Sequence, residues 1–182
     1  MGFRNFTQGA LMDEKNIFNF LKYHEIPYHV YEHQPVFTVN DIPVVTAIDG
    51  VPTSGKIPEP HFKTLFLRDK KGAFFLVSVT DEKRVDITAL SRVLGGDRLS
   101  FGKPDQLLDL LKLTPGSVTP YGLLFDAEKK VRFALDEDAL SAAWVSFHPM
   151  RNDMTLVTTP QDFLVCMEKL GHTPQIVGIQ VK

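Results

Sequence analysis

The sequence predicts a mixed α/β fold of the α+β kind, with a mixed central sheet or partly open barrel and helices packed around it. Three observations carry this. Two apolar runs, near 62–68 and 73–79, flank Asp69-Lys70-Lys71-Gly72, and that tetrapeptide suits a hairpin because Asp starts turns and Gly accepts positive φ. Helical stripes with recognisable caps recur along the chain. They fall irregularly among the strands, which excludes the strict alternation of a doubly wound fold. At 182 residues the chain is read as one domain, 1–182, with a core from about 13 to 180.

The elements follow in order. Asp13 to His24 reads as a helix, with Ile17, Phe18 and Leu21 on one face, acidic residues at its start and Pro27 beyond its end. Tyr28 to Tyr31 is a short strand. Asn40 to Ile48 is expected to be helical, with Pro43 in its first turn. Gly50 to Pro60 reads as a loop, a flap over a site. After the hairpin, Asp86 caps a helix running to Leu94, ended by Gly95-Gly96. Arg98 to Phe101 is a brief strand. Pro104 opens a helix whose buried stripe is Leu107, Leu108 and Leu111. Strands are expected near 121–125, 130–135, 143–147 and 154–158, the first two joined by the turn at Asp126. Thr159-Pro160-Gln161-Asp162 opens the last helix, with Phe163, Leu164, Met167 and Leu170 facing the core and Gly171 ending it. Ile176 to Val181 is the final strand.

Composition limits the function classes. The chain is 43% hydrophobic and 23% charged, with no apolar run of membrane-spanning length. Its N-terminus lacks the apolar run of a secretory signal. The lone Cys166 precludes an internal disulfide and suits a reducing cytoplasm. Its place on the apolar side of the last helix suits a small core residue. The net charge of −2 is uneven: Lys56 to Lys103 carries +4 and the remainder −6. That segment is either a face for a phosphate backbone or plain solvated surface. Among the six histidines, His24, His29 and His33 are suggestively spaced, but Pro27 breaks the helix that would align them; no Gly-rich phosphate loop or nucleophile elbow is present, so neither metal nor cofactor is expected.

Three segments are unlike ordinary core. Lys63 lies near the start of a strand that should be buried on both faces. It must therefore reach a cavity, a partner or water, because an unpaired buried ammonium is costly. Pro115-Gly116-Ser117-Val118-Thr119-Pro120-Tyr121-Gly122 holds two Pro and two Gly in eight residues, and is either a rigid pocket wall of exposed main chain or a plain connection. His148-Pro149 ends a strand, and the proline stops pairing and holds the histidine at a rim. His148 is equally readable as structural.

Taken together and in this order, these segments resemble the YbaK/ProX-type aminoacyl-tRNA deacylases, free-standing relatives of the editing domain inserted in bacterial prolyl-tRNA synthetases. The resemblance spans about Asp13 to Ile179. It rests on Lys-x-Leu-Phe-Leu-x-Asp-Lys-Lys-Gly at 63–72, Leu-Ser-Phe-Gly at 99–102, Thr-Pro-Gly-Ser-Val-Thr-Pro at 114–120, and Phe-His-Pro at 147–149 with Asn152 and Thr155 following. It implies hydrolysis of a mischarged aminoacyl-tRNA(Pro) in trans. Lys63 is then the main functional residue, with Thr64 beside it. The loop Gly116, Ser117, Val118, Thr119 and Pro120 shapes the amino-acid pocket, with Asn152 also at the substrate, and His148 lies near the aminoacyl end. Alanine is the first candidate amino acid. Cysteine is the second, because Thr64 stands where the alanine-removing subgroup has Asn and matches the cysteine-removing one. Arg68, Lys83, Arg84 and Arg98 are candidates to hold the acceptor stem. The implied partners are aminoacyl-tRNA and prolyl-tRNA synthetase, with neither DNA nor a membrane. A binding module on the same fold that senses tRNA without hydrolysis is the rival reading. A DNA-binding regulator lacks its helix-turn-helix.

Overall fold

The computed structural model describes residues 14–33, 46–47 and 57–180. Helix α1 (Glu14–Tyr23) leads into strands β1 (His29–Glu32) and β2 (Thr46–Ala47), then the hairpin β3 (Phe62–Asp69) and β4 (Phe74–Thr80). Helix α2 (Ile87–Val93), β5 (Leu99–Phe101), α3 (Pro104–Leu111) and a 3-10 helix (Pro120–Phe125) follow. Next come β6 (Val131–Asp136), α4 (Asp138–Ser141), β7 (Val145–Phe147), β8 (Met154–Thr158), α5 (Pro160–Lys169) and β9 (Gln175–Val177).

The strands form two sheets, ordered β2-β1-β8-β7 and β5-β3-β4-β6-β9. The first is antiparallel; the second is mixed, because β6 runs parallel to both β4 and β9. This is the mixed α/β architecture expected. Local chemistry accounts for the hairpin: Asp69 Oδ1 accepts from Ala73 N at 2.8 Å, Gly72 N donates to the Asp69 carbonyl at 3.2 Å, and Gly72 holds φ +91°. Asp86 caps α2 by accepting from Thr88 N and Ala89 N. Helix α5 ends with His172 N bonded to the Met167 carbonyl and Gly171 at φ +78°, a Schellman closure.

The principal core lies between the sheets. It joins Phe66, Leu76, Phe133 and Leu135 of the five-stranded sheet to Phe147 and Leu156 of the other, closed by Leu21 of α1 and Phe163 of α5. The reverse side of the five-stranded sheet buries Leu67, Phe75, Val77 and Val79 under Leu90 of α2. The reverse side of the four-stranded sheet carries Tyr31 and Val157, with Ile57 and Trp144 against them.

Several expectations change. Residues 121–125 form a 3-10 helix rather than a strand: Thr119 caps it, Pro120 takes the first position, and the run is apolar throughout, so its pattern had no strand-specific period. Thr46–Ala47 is a strand, not helix, pairing with Tyr31 and Glu32. The β-branched run from Val44 to Thr46 suits that pairing. The rest of the expected 40–48 helix and residues 50–56 of the loop lie outside the described residues, as do Asp13 and Val181. Leu108 is 37% exposed; the buried stripe of α3 runs through Leu107 and Leu111 with Leu110 partly buried. The last strand is shorter than expected, and α4 was not foreseen.

Candidate functional site

The first residues of β3 and the end of β7 meet through a pair of aromatic rings. Phe62 and Phe147 pack at 5.5 Å between centroids, inside the principal core. Side chains alternate along a strand, so the next residue in each chain, Lys63 and His148, turns to the reverse side. Register agrees for Lys63: it pairs with Val79, which belongs to the reverse-side cluster. For His148 the agreement comes from its neighbour His33, whose ring lies 5.9 Å away and whose Nε2 meets Thr155 Oγ1 at 3.0 Å. Thr155 alternates with the core residue Leu156. Lys63 thus lies on the reverse side of the five-stranded sheet and His148 on the reverse side of the four-stranded sheet, each one residue beyond the aromatic contact.

Lys63 is half-buried, and its Nζ donates to the Asp81 carbonyl at 2.7 Å. That partner is neutral. Among the described residues no carboxylate lies within ion-pair distance of it. Thr64 turns the other way. Its hydroxyl meets Ser78 Oγ at 2.9 Å within the β3–β4 pair, so the structure separates Lys63 and Thr64 onto opposite faces. The His148 Nδ1 donates to the Met154 carbonyl at 2.7 Å. Because a carbonyl only accepts, Nδ1 carries the hydrogen, and in the neutral ring Nε2 presents a lone pair. Burial pushes the His148 pKa down, His33 adds to this, and the Met154 carbonyl and Asp153 oppose it without reversing it.

The loop at 114–120 is rigid for a readable reason. Ser117 N donates to the Thr114 carbonyl at 3.1 Å, with Pro115 and Gly116 between them and Gly116 at φ +90°. Proline then positive-φ glycine is the type II turn. Ser117, Thr119 and Pro120 are buried, and Val118 packs on the principal core. Tyr121, directly after the loop, meets Phe147 edge-on at 6.3 Å, so the third segment reaches the same aromatic junction. Asn152 is half-buried in the turn between β7 and β8, beside an Arg151–Asp153 pair that holds the Asp153 carboxyl below its usual range.

Residues 43–166 match the aminoacyl-tRNA editing domain. The chain belongs to this family. The Prolyl-tRNA synthetase associated domain-containing protein 1 of Danio rerio is 36% identical over 167 residues, spanning 90% of this chain and 86% of the relative. The prolyl-tRNA editing protein ProX of Acetoanaerobium sticklandii is 32% identical over 150 residues, spanning 82% and 87%. A solved structure described as a candidate trans-editing enzyme for prolyl tRNA synthetase superposes with TM-score 0.67 over 93% of this chain and 97% of that one, and at 19% identity it speaks for the fold.

In this editing domain the four expected acceptor-stem cations fall into two places. Arg68 lies opposite Ser100 near the hairpin turn, with exposed Arg98 close by. That is the far end of β3, about 17 Å along the strand from Lys63. Arg84 is exposed near the Lys63 end. Lys83, beside it, is committed elsewhere: its Nζ lies 2.6 Å from Asp136 Oδ2 and 2.8 Å from Asp138 Oδ2. Burial lowers the Lys83 pKa, but these two carboxylates outweigh it and leave the pKa raised. Among the described residues no group of three His, Cys, Asp or Glu is placed to hold a metal, and no helix is long and apolar enough to cross a membrane. The Asp81 carbonyl was not singled out by sequence, and although His33 and Thr155 were each noted, their bond was not foreseen. His33 and Thr155 lie 122 positions apart, so no local pattern links them.

Proposed function

We propose that this protein hydrolyses mischarged aminoacyl-tRNA(Pro) in trans, with Ala-tRNA(Pro) the first substrate and Cys-tRNA(Pro) the second. The observation that supports it most is the Lys63 ammonium, anchored by a neutral carbonyl near the start of β3, where Phe62 packs on Phe147. An aminoacyl ester is already activated, so no covalent nucleophile is required. Water adds to the carbonyl carbon, negative charge develops on the carbonyl oxygen, and the ribose oxygen departs with a proton. Lys63 supplies the positive charge for that oxygen or the terminal phosphate. Neutral His148, with Nδ1–H fixed on Met154, offers Nε2 to orient water. The type II turn at 114–117 and the capped Thr119-Pro120 form a stiff wall that refuses proline sterically. Attraction alone distinguishes a methylene by only about 1–3 kcal/mol. The name of the ProX relative, a prolyl-tRNA editing protein, favours the same substrate class.

The test is deacylation of alanyl-, cysteinyl-, seryl- and prolyl-tRNA by the intact chain and by Lys63→Ala. The variant should fold normally and lose ~10² to 10³ in rate on the preferred ester. Full activity in Lys63→Ala would remove the assigned role. A non-catalytic binder is the second reading, favoured by the bond that commits the Thr64 hydroxyl to Ser78 rather than to the ester. At catalytic protein concentration a binder protects the ester, whereas a deacylase clears it.

A further inference from the structure

The parallel pairing of β4, β6 and β9 brings their carboxyl ends to one edge, with Ser78 beside Leu135 and Leu135 beside Ile176. Asp136 ends β6 there, wholly buried. Its Oδ1 accepts weakly from Ile179 N at 3.4 Å, while Oδ2, which among the described residues has no directed hydrogen-bond donor, meets the Lys83 ammonium at 2.6 Å. A buried carboxylate without its cation is strongly unfavourable, so this pair holds Lys83 in a way that a solvent-exposed pair does not. Lys83 is only 20% exposed, and Asp138, at 54%, completes the cluster.

The segment that Lys83 belongs to also carries the Lys63 anchor. It is pinned at its start by Asp81 N to the His61 carbonyl at 3.0 Å and by Lys83 N to the Thr80 carbonyl at 3.2 Å. At its far end Asp86 N donates to the Gln180 carbonyl at 3.1 Å. Between those anchors the Lys83 side chain ties the turn to β6. The Asp81 carbonyl, two residues from Lys83, accepts a hydrogen bond from the Lys63 ammonium. A long flexible lysine has its end placed by what it bonds to, so where this turn sits decides where Nζ sits.

We infer that Lys83 is a positioning residue for Lys63: paired with Asp136 and Asp138, it fixes the turn after β4 whose Asp81 carbonyl holds the Lys63 ammonium in place. This rests on the deacylase reading, and it reassigns Lys83 from contact with RNA to support of the site. A displacement of about 1 Å at a reacting group can cost ~10²-fold in rate, so the pair need not touch substrate to matter.

The experiment compares Lys83→Met, Lys83→Arg and the double variant Lys83→Met/Asp136→Asn in the full chain. The double variant removes both charges, so it keeps the test open should the single Met variant fail to fold. Two readouts are taken: kcat and KM for deacylation, and the Lys63 side-chain NMR signal in protein labelled at lysine Cε, assigned with Lys63→Arg. The expected result is a kcat lower by roughly 10- to 100-fold in the Met and double variants. KM should move by less than about twofold, the Lys63 signal should shift, and Lys83→Arg should recover most of the rate. A folded variant in which either kcat or the Lys63 signal is unmoved overturns the inference. So does a raised KM at unchanged kcat, which would put Lys83 on the RNA. Should the unaltered chain clear no ester, the deacylase reading fails, and the NMR signal alone decides the Lys83–Lys63 link.

Discussion

His148 sits where opposing influences act on one proton. Burial and the neighbouring His33 disfavour the imidazolium, the Met154 carbonyl and Asp153 favour it, and the balance leaves the pKa below its ordinary 6.5. The consequence for stability has a definite sign. In acid the unfolded chain binds a proton here more readily than the folded one does, so unfolding takes up protons. This contribution is fully present above about pH 6.5 and is lost as pH falls from there through the lower folded value. Urea melts across that window should show declining stability toward acid, and His148→Asn should flatten the decline. An unchanged profile in that variant would assign the acid sensitivity to other groups. Deacylation should fall in the same direction, since only the neutral ring presents Nε2 to water. Lys63 and Thr64 teach the complementary point. They are adjacent in sequence, yet pleating sends one hydroxyl inward to Ser78 and one ammonium outward to the Asp81 carbonyl. Adjacency suggested joint action at the ester; the strand geometry separates them.

At the scale of elements, the loop and 3-10 helix from 114 to 125 combine what sequence foretold and what it did not. The Pro-Gly turn was legible because each residue type has one dominant conformational use there. The continuation into a helical turn was not, because Tyr121 to Phe125 is apolar throughout and only the Thr119-Pro120 cap distinguishes it. That turn packs tightly. A Cβ at Gly122 would lie 2.6 Å from Leu113 Cδ1 and 3.2 Å from Leu111 Cβ. Gly122→Ala should therefore destabilise the protein by about 1–3 kcal/mol as Leu113 is displaced. A thermal melt reads this as about 2–4 °C per kcal/mol. An unchanged melting temperature would mean that Leu113 repacks without cost. The hairpin and the caps of α2 and α5 lie at the other extreme. There Asp69, Gly72, Asp86, Thr159 and Gly171 act through bonds within a few residues, which a sequence displays directly.

Across the whole molecule, we propose that the positive segment marks where RNA would lie. The positive segment from Lys56 to Lys103 spans the strand that carries Lys63 at one end and Arg68 at the other, with Arg98 reached through β5. Five positions separate Lys63 from Arg68, so alternation puts them on opposite faces of β3, and an acceptor end whose ester met Lys63 would reach those arginines only around the edge of the hairpin. Replacing Arg68 and Arg98 together with glutamine should lower the salt dependence of tRNA binding by about 1 to 2 in the slope of log Kd against log salt, with the deacylation rate of bound substrate little changed. A salt slope equal to that of the unaltered chain would move the RNA path elsewhere.

The sequence by itself determined the fold class, most element boundaries and the rigid turn, because each rests on bonds or periodicities within a few residues. Only the tertiary structure decided which faces its segments show one another. The Phe62–Phe147 contact, the reach of His33 to Thr155 and the seat of Lys83 on Asp136 join positions far apart in the chain. Such pairings follow from how two sheets close on a common core, and no local pattern of residues encodes that closure.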